Sequence, residues 1–141
     1  MSRRDPFIPF RVRKKTQLTT KSDQWFKDAK YLHEKAKRYD AAVYLGGFVV
    51  ECLLKAALWA RRREKQVEVL LYSHDLTRLL EVNVSLANRL RAEPQDLYQQ
   101  FVRVANWNVG IRYNPAAIQK ADADDFMRRL KEVQEWLRQS V

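Results

Sequence analysis

Glu51 and Lys55 stand four residues apart in the stretch Ala41 to Ala60, which carries no other charge. An acid four residues ahead of a base is the orientation that favours an intrahelical ion pair. Charges in an apolar stretch must pair or shift their pKa. The pair therefore has two readings: a salt bridge that fixes the register of neighbouring helices, reaching also to His74 or Arg112, or a phosphate-facing lysine held by the glutamate. His74, within Ser73-His74-Asp75-Leu76, reads as a helix-entry histidine satisfied by a backbone group or as a ligand contact, and Asp75 as a helix cap or a polar contact. Arg112 and Tyr113 follow Gly110 and precede Asn114-Pro115. A guanidinium there can fork onto phosphate or carboxylate, with Tyr113 stacking or packing. Trp107, nearby, is a base-stacking platform or a core residue. Cys52, with apolar neighbours on its C-terminal side, reads as a buried, inert thiol.

These groups need helices to position them. Trp25, Ala29, Leu32 and Ala36 fall on one face of a helix over 22–38, with Ser22 or Asp23 as its cap. The stretch Asp40 to Arg63 is apolar on every face and reads as a buried helix. It is long enough to span a membrane, but Glu51 and Lys55 near its middle would cost about 5–7 kcal/mol on insertion, so a core helix is expected. Arg61, Arg62, Arg63 and Lys65 crowd its C-terminal end, where the helix dipole favours cations. A helix opens at Ser73–Asp75, with Leu76, Leu79 and Leu80 apolar, and frays near Asn83; residues 84–93 allow a short helix. Pro94 suits the first turn of the next helix, which Gly110 ends. Asp122, Asp124 and Asp125 gather at the start of a last helix lined by Phe126, Leu130, Val133 and Leu137. No alternating strand pattern longer than four residues appears, and the expected fold is an all-α, up-and-down bundle of about five helices.

The chain has 141 residues, 46% of them hydrophobic, with three Gly and four Pro, which suits one domain and not a disordered chain or multidomain enzyme. A single cysteine excludes an intramolecular disulfide framework and a cysteine zinc site, and points to the cytoplasm; no metal or cofactor is expected. The net charge of +10 and pI near 9.9 favour polyanionic partners. Most of the excess lies in residues 1–21, where Arg3, Arg4, Arg11, Arg13, Lys14, Lys15 and Lys21 face only Asp5. Pro6 and Pro9 disfavour helix there, so 1–21 reads as an extended basic arm, a grip on nucleic-acid phosphates or a solvated terminus, ahead of a helical domain over 22–141. It is not a signal peptide, because no apolar core follows the basic residues.

Three motifs occur in order: Glu51-Cys52-Leu53-Leu54-Lys55-Ala56 on the buried helix, Ser73-His74-Asp75-Leu76 opening another, and Ile111-Arg112-Tyr113-Asn114-Pro115 after the fourth. Together they resemble the HEPN family (higher eukaryotes and prokaryotes nucleotide-binding). The resemblance covers roughly 22–139 and implies a helical bundle, usually a homodimer. Many members are metal-independent ribonucleases with an Arg and a His separated by four to six residues near the end of the fourth helix. Here the positions that would serve His74 are Val67, Glu68 and Val69, and those for His33 are Phe26, Lys27 and Asp28. Arg103 and Arg112 stand in the right region, yet Asn106, Trp107 and Asn108 supply no imidazole. The resemblance then implies a non-catalytic module that binds a nucleotide or RNA, or pairs with a small nucleotidyltransferase in a prokaryotic toxin–antitoxin or defence system. The alternatives are a ribonuclease with a divergent site built on Arg112 and His74, and a structural assembly protein.

Overall fold

The computed structural model describes residues 11–114 and 118–141, the Arg112 side chain apart. Its helices are α1 (Lys15–Glu34), α2 (Tyr39–Leu58), α3 (Lys65–Leu70), α4 (Leu76–Glu81), α5 (Val84–Ala92), α6 (Leu97–Tyr113) and α7 (Lys120–Ser140), with a 3-10 turn over Trp59–Arg61 after α2. No strand occurs among the described residues, and the all-α expectation holds. Four long helices, α1, α2, α6 and α7, make the bundle, and the short α3, α4 and α5 connect α2 to α6. Two of these, α3 and α5, raise the number above the expected five.

α2 is the hub. It packs on α1, α4, α6 and α7, and Val43, Val49, Val50, Leu53, Leu54 and Leu58 are fully buried. The segment Tyr39–Arg61 is long and apolar enough to cross a membrane by composition, but two thirds of it is covered by the other helices, as a core helix requires. Close approach is made possible by Gly46, which faces Phe126 and Leu130 of α7, and Gly47, which faces Asn108 of α6. A side chain at either position would meet those neighbours. On α7 the residues Phe126, Leu130, Val133 and Leu137 line the core as their spacing predicts.

The helix boundaries differ from expectation in five places. α1 begins at Lys15, so Lys15 to Lys21 are helix and not extended arm, and the boundary at 21 moves to 14. The side chain of Gln17 accepts hydrogen bonds from the backbone N–H of Arg13 (2.7 Å) and Lys14 (3.1 Å), satisfying donors that a helix start leaves free. Ser22 is therefore mid-helix, fully buried, its hydroxyl donating to the Val49 carbonyl of α2 at 2.9 Å; neither it nor Asp23 caps. The same helix ends at Glu34 and leaves Ala36 exposed. α2 stops at Leu58, short of Arg63. Pro94 lies in a turn, not in the first turn of α6, because Gln95 and Asp96 adopt left-handed backbone angles (φ 64° and 55°) and helix resumes only at Leu97. Gly110 does not terminate α6, which runs on to Tyr113. By contrast Asp75 caps α4 by accepting from the Arg78 N–H (3.2 Å), and Asn83 caps α5 by accepting from that of Leu86 (3.3 Å). Of the basic arm, Arg3 and Arg4 lie outside the described residues.

Candidate nucleotide and nucleic-acid site

The apolar run of α2 places Glu51 in the core at 7% exposure, and its carboxylate is shared between two bases. Oε2 meets Lys55 Nζ at 3.3 Å, one turn along the same helix. Oε1 meets His74 Nδ1 at 2.8 Å, across the gap to the loop before α4. The Lys55 side chain is 12% exposed and that of His74 is half exposed. Both readings of the pair start from this geometry: it ties α2 to the α3–α4 connection, and it holds an ammonium group at the wall of a cavity.

That cavity, of about 780 Å³, lies between the Arg11–Arg13 segment ahead of α1, the C-terminal half of α2, the 3-10 turn and α3. Lys55, Trp59, Arg62, Arg63 and Tyr72 line it, with Glu51 and Glu68 as its two acids. Arg61, the first of the three consecutive arginines, is turned away: it is bound to Glu64 at 2.7 Å and reaches the Val82 carbonyl. Arg62 donates to the Trp59 carbonyl at 3.0 Å and lies 4.9 Å over its ring, a cation–π contact that leaves the guanidinium edge at the rim. Cys52 also lines the wall, yet burial, with the neighbouring Glu51 charge adding to it, pushes its thiol up to about 11. A thiol that stays protonated at neutral pH is a poor nucleophile.

The structure thus brings Glu51, Lys55 and His74 together and separates the others. Asp75 is the α4 cap. Trp107 is stacked on Phe126 of α7 (5.9 Å between centroids), has the Arg103 guanidinium 5.0 Å from its ring, and does not line the cavity. Tyr113 is the last residue of α6 and is 82% exposed. The Arg112 side chain lies outside the described residues. Arg11 and Arg13 reach the cavity, whereas Lys14 and Lys15, both exposed, do not line it. The sequence reading left out Trp59, Arg62, Arg63 and Tyr72. A signal was present for Trp59, since 51, 55 and 59 follow at four-residue steps on one helical face. A helix dipole explains some of the cations after α2, and nothing in the sequence marks Arg62 and Arg63 apart from the rest.

The other histidine is equally committed. His33 Nε2 meets Asp124 Oδ1 at 2.6 Å, joining the end of α1 to the start of α7. Lys120 also binds Asp124, at 2.8 Å. The hydrogen bond from Lys120, and after it that from His33, holds the Asp124 carboxyl below the ordinary aspartate range.

The sequence model of the HEPN domain matches residues 16–140, and the chain belongs to the HEPN domain family. Its family places it among nucleotide- and RNA-related modules. The fold is similar to the crystal structure of an archaeal HEPN homologue, with a TM-score of 0.64 and 16% identity over 92% of this chain and 98% of that one. No curated protein matches the chain.

Proposed function

We propose that this HEPN domain is a binding module for a nucleotide or nucleic acid, without ribonuclease activity of the family's usual kind. The observation that carries the reading is the buried Glu51–Lys55 pair, tied to the half-exposed His74, at the wall of a basic cavity with aromatic lining. A lysine positioned by a buried carboxylate is a preorganised phosphate contact, and flat rings beside it suit a base. Both imidazoles of the chain are tied to carboxylates, and neither is on α6. The module acts as a cytoplasmic homodimer beside a small nucleotidyltransferase partner, in a toxin–antitoxin or defence system. Exposed Tyr31, Tyr44, Val69 and Val109 offer apolar surface for such contacts.

One feature favours the ribonuclease alternative: the Glu51 contact at Nδ1 orients the exposed imidazole of His74, as carboxylates do for catalytic histidines. Metal-free incubation with structured and single-stranded RNA separates the two. The binding reading expects intact RNA and salt-dependent retention of it. Cleavage that vanishes in folded His74→Ala and Arg112→Ala would replace it with the enzyme. Isolation of the protein from its native host, with identification of what accompanies it, tests the nucleotidyltransferase pairing.

A further inference from the structure

We infer that the cavity is a site for a terminal phosphate monoester carried by a nucleoside, either a free mononucleotide or the phosphorylated end of an RNA strand. This rests on the nucleotide- or RNA-related reading above and specifies which chemical group the site selects. Five cations, Arg11, Arg13, Lys55, Arg62 and Arg63, face two acids, Glu51 and Glu68, around one concavity. One acid is already spent: Glu51 serves Lys55 and His74. Among the described residues, Arg11, Arg13 and Arg63 are in no ion pair. The local excess of positive charge suits a dianion better than the single charge of an internal phosphodiester. Arginines also fork onto the oxygens of a terminal phosphate, which presents more free oxygens than a diester does.

Size and lining agree. A volume of about 780 Å³ falls within the range for small-molecule sites, about 300–1,000 Å³. Trp59 has one face against Arg62, and Tyr72, 76% exposed, stands at the mouth where it can close over a base. Arg11 and Arg13 precede residue 16, where the family match begins, so part of the cationic wall lies outside the matched segment.

The test measures binding of the full chain, at one fixed salt concentration, to a single-stranded RNA octamer with a 5′-phosphate and to the same octamer with a 5′-hydroxyl. Adenosine 5′-monophosphate and adenosine serve as competitors. A preference of about tenfold for the phosphorylated end is expected, from one or two charge-assisted hydrogen bonds. It should disappear in Arg13→Ala/Arg63→Ala, both exposed positions whose loss leaves the core intact, so that the phosphorylated octamer loses more affinity than the hydroxyl octamer and the two bind alike. Competition by the monophosphate and not by adenosine identifies a free nucleotide as an occupant; a preference that the monophosphate does not compete away identifies the RNA end. Equal binding of the two octamers overturns the inference but leaves the binding module standing, as does a preference that survives the double substitution. No binding of octamers or monophosphate overturns both.

Discussion

Lys55→Met removes one partner of a pair whose side chains are 12% and 9% exposed, leaving the Glu51 carboxylate in the core. Breaking a buried pair from one side costs about 3–5 kcal/mol. Glu51 keeps a second hydrogen-bond partner, the half-exposed His74, with Nδ1 at 2.8 Å. The expected loss is therefore at the lower end, about 3 kcal/mol, which with a urea dependence of about 2 kcal/mol per molar moves the midpoint by about 1.5 M. Glu51→Leu strips the carboxylate from both Lys55 and His74 and should cost more. Glu51→Leu with Lys55→Met leaves no buried charge and should return to within about 1 kcal/mol of the wild type, since apolar replacement of such pairs is often neutral. Urea melts of the three variants, read beside RNA binding, separate structure from function: a stable double variant that no longer binds assigns the pair to the ligand. A Lys55→Met midpoint shifted by less than about 0.25 M, the effect of an ordinary surface substitution, would refute the placement of Lys55 in the core.

Two glycines should respond in opposite directions. At Gly47 an added methyl runs into the buried Asn108, whose own Cβ would be 2.9 Å away, so Gly47→Ala should lower stability by about 1–3 kcal/mol through forced separation of α2 and α6. Nothing lies within 4 Å of a methyl at Gly110, and Gly110→Ala should stabilise α6 by up to about 1 kcal/mol in a thermal melt. Asp124 has a carboxyl whose pKa in the folded chain is lowered, first by Lys120 and then by His33. Its contribution is present above the unfolded value and is lost as pH falls through the folded one. Wild type and Asp124→Asn should therefore differ in urea midpoint above about pH 4 and converge below it; a difference that stays constant with pH would refute this.

The apolar periodicity of α7 and the continuous apolar run of α2 were legible because burial alone decides those positions. The start of α1 was not. Lys15 to Lys21 read as tail on charge and proximity to Pro9, yet Leu18, Thr19 and Ser22 form the face that meets α2, and small polar residues there carry no hydrophobic signal. Gly110 and Pro94 misled in the same way, because local preference was overruled, at one by the helix around it and at the other by a left-handed pair of residues. The Glu51–Lys55 pair was legible from two charges in an apolar run, whereas the sequence left His74 and Arg112 as alternative further partners. The cavity was not legible, since its wall is assembled from Arg11, Lys55, Arg63 and Tyr72, which only tertiary packing brings together.

The central position of α2 has a consequence during synthesis. Chain growth at about 5–20 residues per second leaves an interval of about 3–12 s between completion of α2 at Leu58 and the start of α7 at Lys120. For that time a segment with mean hydropathy 1.7 is without the helix that covers much of it, and by length it would satisfy the machinery that inserts membrane spans. Two charges near its middle, costing about 5–7 kcal/mol to insert, keep it in water until its partners arrive. The Glu51→Leu/Lys55→Met chain, stable once folded, should accordingly appear in the membrane fraction of cells that make it, while the wild type does not; equal partitioning would show that α2 is covered before α7 is made.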